Sequence, residues 1–160
     1  MKYRIGLGYD VHRLESDLPL TLGGVSIPFY KGCVAHSDGD VLLHSICDAL
    51  LGAAALRDIG FHFPDTDIKY KGIDSKELLL ACVKKLRENG FEVGNIDATI
   101  CMQQPKLAPF IPKMCIAISN TLGIDNNQVN VKATTSEGLG FEGREEGVSA
   151  QAIALIYKHE

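Results

Sequence analysis

Polar and apolar residues alternate over residues 2–9, the period of a strand with two unlike faces. Residues 20–27, LTLGGVSI, read as a small N-terminal hairpin turning at Gly23-Gly24. Residues 40–56 are apolar nearly all round and predict a buried helix, with Ser37 or Asp38 placed to cap it. Residues 57–73 carry Gly60, Pro64, Gly72 and several Asp, and read as a long loop of the kind that often serves function. A second helix starts at Asp74, with Glu77 three residues on as in a capping box, and stops at Asn89-Gly90. In residues 91–103, Ile96, Ala98, Ile100 and Met102 alternate with Asp97, Thr99, Cys101 and Gln103, so a half-buried strand is expected. Pro105, Pro109 and Pro112 precede a third helix over Ile111–Leu122, closed by Gly123. Val129–Thr134 reads as a strand, residues 135–147 as a glycine-rich loop, and residues 148–157 as a last, largely apolar strand. This order is not a strict βαβ alternation. It predicts an α+β fold: a mixed four-stranded sheet with helices packed on one face, plus the hairpin.

Length and composition narrow the class. A chain of 160 residues fits a single catalytic domain, 1–160, large enough to hold a core without disulfides. The five cysteines are odd in number and form no CxxC, which points to reduced thiols and a cytoplasmic setting. No signal peptide or transit segment is visible, and no apolar run approaches the ~18 residues of a membrane span. The net charge of −4, with no basic run, argues against nucleic acid. A small anionic substrate would need local help from a metal, a helix start, or a few placed Lys and Arg.

Asp10 and His12 are the first candidates for that help. In an extended chain, residues i and i+2 share a face, so a carboxylate and an imidazole can reach one point, and both suit zinc. The buried helix adds Asp40, His44 and Asp48, which recur every four residues as one polar stripe. Buried polar groups must be met by something. A metal at His44 with carboxylates behind it is one answer; a hydrogen-bond network or a subunit interface is another. Cys47, three residues after His44, is a further candidate ligand.

Phosphate contacts are available at several turns. His36-Ser37 precede a helix start, where free N–H groups and the dipole favour an anion. Gln104-Pro105-Lys106 places a lysine at a strand–helix turn. Lys132 to Thr135 runs into a glycine-rich segment where Glu137 could hold a hard cation and Arg144 suits phosphate oxygens. No GxxxxGK[ST] loop is present.

Four segments, GLGYDVH (6–12), AHSDGDVLLH (35–44), DIGFHFPDTD (58–67) and VKATTSEGLGFEGR (131–144), resemble the main motifs of the 2-C-methyl-D-erythritol 2,4-cyclodiphosphate synthase family. The likeness runs from about residue 4 to residue 157. It implies a zinc-dependent phosphorus–oxygen lyase that cyclises 4-diphosphocytidyl-2-C-methyl-D-erythritol 2-phosphate and releases CMP in the non-mevalonate isoprenoid pathway. It also implies a homotrimer with active sites between subunits. By the resemblance, Asp10, His12 and His44 bind zinc. His36 and Ser37 hold the methylerythritol phosphate end. Asp58 and Gly60 lie near the ribose and erythritol, beside a mobile loop with Phe63, Pro64 and Asp65. Met102, Pro105, Lys106, Leu107, Ala133 and Thr134 form the cytidine pocket of the neighbouring subunit. Thr135 and Glu137 serve the diphosphate and a second cation, Mg²⁺ or Mn²⁺. Phe141 joins the substrate-binding set, and Arg144 lines a central cavity where isoprenoid diphosphates can bind. Ser136 and Glu145 depart from the family pattern, where Thr and Gly are usual. A metal-dependent phosphohydrolase and a non-catalytic cytidine-nucleotide binder are the rival classes.

Overall fold

The computed structural model describes residues 2–158. Its elements run β1 (Tyr3–Ser16), β2 (Leu20–Leu22), β3 (Val25–Ile27), β4 (Lys31–Cys33), α1 (Val41–Ala53), α2 (Ile59–His62) and α3 (Ser75–Glu88). They continue through β5 (Phe91–Cys101), α4 (Ile111–Leu122), β6 (Val129–Thr134), α5 (Gly140–Gly143) and β7 (Gly147–Lys158). The fold is α+β. The main sheet has the order β4-β1-β7-β5-β6, and β2-β3 form a separate hairpin. Among the described residues, only the β5–β6 pair is parallel. No helix among the described residues is long and apolar enough to cross a membrane.

The sheet has five strands where four were expected. The additional strand, β4, is the tripeptide Lys31-Gly32-Cys33, too short to show a period, and it exists because it pairs with Leu14 to Ser16 at the end of β1. β1 itself runs past residue 9 to Ser16. Its continuation looked unlike a strand because the inward positions there are Asp10 and His12. The expected loop over residues 57–73 contains α2 and a 3-10 turn at Ile68–Tyr70, each started by an aspartate, Asp58 accepting from Phe61 N and Asp67 from Lys69 N. α1 is capped by Asp40, which accepts from Leu43 N at 3.0 Å, and not by Ser37 or Asp38. α4 ends at Gly123, whose φ of 70° is the left-handed conformation that glycine adopts without strain.

α1 lies directly on β1 because two glycines make room. A Cβ on Gly6 would stand 2.0 Å from Ala49 O, and one on Gly8 would stand 1.8 Å from Ser45 O. The next inward residues along the strand are Asp10 and His12, which therefore emerge beside His44 on the first turns of α1. The opposite face of β1 is apolar and uncovered: Ile5 is 73 % exposed and Leu7 67 %, flanked by Tyr3, Tyr9, Val11 and, on β7, Ile153.

Candidate functional site

Asp10, His12 and His44 offer one ligand atom each, all within 4.8 Å of one another. Asp10 Oδ2 lies 3.1 Å from His12 Nε2 and 3.0 Å from His44 Nδ1. The two imidazole nitrogens are 3.0 Å apart. Bond lengths of 2.0–2.1 Å around tetrahedral zinc place neighbouring donors about 3.3 Å apart. One oxygen and two nitrogens at nearly that spacing fit such an ion and leave a fourth position free. Burial pushes the Asp10 carboxyl up, but hydrogen bonds from His12 and His44, with their charge, outweigh it and hold it below the usual carboxylate range. Burial lowers the His44 imidazole, and the Asp10 carboxylate beside it more than offsets this, so its pKa is raised. The site thus attracts positive charge strongly enough to overcome burial.

The helix stripe divides its partners. Asp40 is fully buried and does not reach the donor set; it accepts from Gly23 N at 2.9 Å and Gly24 N at 2.6 Å, fastening the hairpin turn to α1. Burial pushes its carboxyl up to about 6 against those backbone donors. Asp48 accepts from Ile59 N at 2.7 Å and anchors the start of α2. Only His44 faces the metal position. Cys47, the alternative ligand, is buried against Cys82 and takes no part. His44 Nε2, on the far side of the ring, meets Ser75 Oγ at 2.9 Å and Ser37 Oγ at 3.2 Å. Ser75 is a residue the sequence reading missed. Its only local mark was a place at a helix start, and nothing nearby in the chain connects it with His44.

The donor set opens into a cavity of about 570 Å³. Its walls include the expected His36, Ser37, Gly60, Phe63 and Asp65, joined by Tyr70. Asp58 stands next to it as the cap of α2. Two chain segments are laced together across this wall: Gly72 N donates to His36 O at 2.7 Å, and Asp38 N to Ile73 O at 3.1 Å. His36 Nε2 lies 3.3 Å from Asp67 O.

The remaining candidates form a second group at the ends of β5 and β6. Met102 N donates to Thr134 O at 2.9 Å, and Met102 and Leu107 are buried there. The Gln104-Pro105 peptide is cis, with Lys106 following. Thr135 Oγ1 donates to Glu137 Oε1 at 3.2 Å, and Ala133 lies beside Ile100 in the register. Asp10, Ala150, Ile100 and Ala133 occupy one row across four strands. At ~4.8 Å per strand, Ala133 is therefore about 14 Å from Asp10 within one chain. Phe141 packs near Gly147, and Arg144 makes a two-pronged contact with Glu146 at 3.1 and 3.0 Å.

Fold and site together define a class: an α+β protein whose first strand and first long helix bring together a carboxylate and two imidazoles that could hold a metal ion. The family model of the YgbB family matches residues 3–157, and the chain belongs to that family. A relative from Azotobacter vinelandii, named 2-C-methyl-D-erythritol 2,4-cyclodiphosphate synthase, is 60 % identical over 153 residues, covering 96 % of this chain and 98 % of its own. The bifunctional IspDF structure from Campylobacter jejuni superposes with a TM-score of 0.96 at 47 % identity; the match covers 99 % of this chain and 43 % of that longer one. A Plasmodium falciparum IspF structure in complex with CDP superposes with a TM-score of 0.87 at 33 % identity, covering 99 % of this chain and 98 % of its own.

Proposed function

We propose that this protein is a cyclodiphosphate synthase acting as one catalytic domain. It converts 4-diphosphocytidyl-2-C-methyl-D-erythritol 2-phosphate to 2-C-methyl-D-erythritol 2,4-cyclodiphosphate and CMP, for isoprenoid precursor synthesis. The observation that carries the reading is the convergence of Asp10, His12 and His44 at a cavity shared with His36 and Ser37. The similarity to relatives that bear this activity's name adds to it.

The reaction is an intramolecular phosphoryl transfer of the phosphorus–oxygen lyase type. An oxygen of the 2-phosphate bonds to the β-phosphorus, and the bond from that phosphorus to the bridging oxygen breaks, so CMP departs with the oxygen. The attacking phosphate is already anionic and needs no strong base. The work is positioning and charge neutralisation. His36 and Ser37 hold the 2-phosphate end, Asp58 and Gly60 the sugar alcohol and ribose, and Phe63 with Asp65 the loop wall. Met102, Pro105, Lys106, Leu107, Ala133 and Thr134 hold the cytosine end, and Thr135, Phe141 and Arg144 complete the binding surface. Asp10, His12 and His44 would hold Zn²⁺, and Glu137 would hold Mg²⁺ or Mn²⁺; when bound, these ions withdraw negative charge from the diphosphate oxygens.

The two residue groups lie about 14 Å apart within one chain, and the resemblance implies that a neighbouring subunit supplies the group that holds the cytidine end. The bare apolar face of β1 supports the same conclusion, because a contiguous exposed strip of this kind marks an interface. The assembly is a homotrimer by resemblance. An isoprenoid diphosphate in its central cavity would have to displace Glu146 from Arg144, and it would meet Glu145, which is held by Tyr30 at 3.0 Å. Five free cysteines fit a cytoplasmic setting.

The test is phosphorus NMR of the substrate with purified protein, with and without a zinc chelator. Coupled resonances of a cyclic diphosphate together with CMP, lost on chelation, are the expected result. Linear products or free phosphate would make it a hydrolase, and an unchanged spectrum with metal supplied would leave a binding protein.

A further inference from the structure

We infer that Ser75 and Asp38 are positioning residues that fix which nitrogen of His44 faces the metal. This rests on the zinc assignment above. A neutral imidazole carries one proton, and a ligating nitrogen must be free of it. His44 turns Nδ1 toward Asp10 and His12, so when this nitrogen gives up its hydrogen bond to Asp10 and ligates a metal, the ring's one proton must sit on Nε2. That proton needs an acceptor in a place where the residue is only 8 % exposed.

The neighbouring groups set the direction of every bond. Asp38 is a carboxylate and can only accept. Its Oδ2 takes Ser75 N at 3.0 Å, and its Oδ1 takes the Ser75 hydroxyl at 2.5 Å. With its hydrogen committed to Asp38, Ser75 Oγ presents a lone pair to His44 Nε2 at 2.9 Å. The chain therefore reads Asp38 accepting from Ser75, Ser75 accepting from His44 Nε2–H, and His44 presenting Nδ1 unprotonated to the metal position. In the reverse order Ser75 would donate to Nε2, place a hydrogen on Nδ1 inside the donor set, and leave Asp38 Oδ1 without that hydrogen. Ser75 is fully buried and lies 31 residues from His44, so the contact comes from the docking of α3 and not from local chain geometry. Ser37 Oγ, 3.2 Å from the same nitrogen, borders the cavity and provides a weaker, more accessible partner.

Groups of this kind behind a metal ligand are worth about 10–100-fold in metal affinity. Zinc affinity should be measured by competition with a chromophoric chelator for wild type, Ser75→Ala, Asp38→Asn and Ser75→Thr. Thermal melting of each zinc-free protein and the imidazole N–H proton spectrum of the zinc-loaded wild type complete the set. The expected result is a loss of at least ~10-fold in Ser75→Ala, a smaller loss in Asp38→Asn, and recovery in Ser75→Thr, which keeps the hydroxyl. The wild-type spectrum should show a His44 Nε2 proton protected from solvent exchange. A purely structural role would lower the zinc-free melting temperature and leave affinity unchanged, and that outcome overturns the inference. If Ser75→Ala does not fold, the wild-type spectrum still decides: an unprotected or absent Nε2 proton overturns it. A wild type that takes up no zinc defeats the metal assignment itself, whereas a zinc-binding wild type matched by Ser75→Ala defeats only this role.

Discussion

Replacing Gly8 by alanine should damage both the fold and the metal site. The added Cβ would stand 1.8 Å from Ser45 O and 2.7 Å from Ala49 N, both backbone atoms of α1 that cannot rotate away. Ordinary contact lies near 3.5 Å, so α1 must retreat by about 1.7 Å. Overpacking of this kind costs about 1–3 kcal/mol, and a rigid backbone neighbour places Gly8 at the upper end. His44 immediately precedes Ser45 and would move with the helix, opening a donor triangle whose edges are now 3.0–3.1 Å. Gly52 is the control. It lies on the same helix, and a methyl added there would meet nothing within 4 Å, so Gly52→Ala should stabilise by about 0.5–1 kcal/mol through helix propensity alone. Urea unfolding of the zinc-free proteins reads the first effect, and zinc competition reads the second. A Gly8→Ala variant within about 1 kcal/mol of wild type, with zinc affinity intact, would refute the claim that glycine sets the helix–strand distance.

Further outcomes follow from the same geometry. His44→Ala should lose zinc and turnover while remaining folded, and an active zinc-free variant, by metal analysis and product NMR, would sink the metal assignment. In the zinc-free protein, Asp10's lowered pKa contributes stability above its unfolded value of 3.8 that is lost as pH falls further. His44's raised pKa contributes below 6.5 and is lost as pH rises through the raised value, so His44→Ala should flatten the alkaline limb of a stability–pH curve. If the proposed homotrimer of 17.4 kDa chains forms, Leu7→Asp should turn it into monomers by sedimentation and abolish turnover, because the charge lands on the uncovered face of β1; a wild type that sediments as a monomer would refute the assembly. Asp48→Ala should free the start of α2 by removing the 2.7 Å bond to Ile59 N, raising KM more than it lowers kcat.

Elements marked by their own chemistry were legible from the chain. α4 and β6 fall on the expected residues because prolines open the helix and Gly123, in the left-handed conformation, closes it. The polar stripe on α1 was visible, but its division was not. Asp40 and Asp48 are eight residues apart and so separated by about 12 Å along the helix, which prevents Asp40, His44 and Asp48 from all turning to one ion. Each met a different partner supplied by a distant segment: Gly23 and Gly24, the donor set, and Ile59. Ser75 was hidden for the same reason.

The alternation in β1 conceals a deeper inversion. A half-buried strand normally sends its apolar set inward and its polar set to solvent. Here Gly6, Gly8, Asp10 and His12 face the helices, while Tyr3, Ile5, Leu7, Tyr9 and Val11 face out. The inward set is small or polar because a helix backbone and a metal donor set occupy that side. The outward set is apolar although nothing in this chain covers it. Within one subunit that arrangement exposes a strip no monomer gains by displaying, and the homotrimer proposed above would cover it with other copies of the chain. The alternation showed where a strand lies, but not which face turns inward, because the close approach of α1 at Gly6 and Gly8, and not hydrophobicity, decides it.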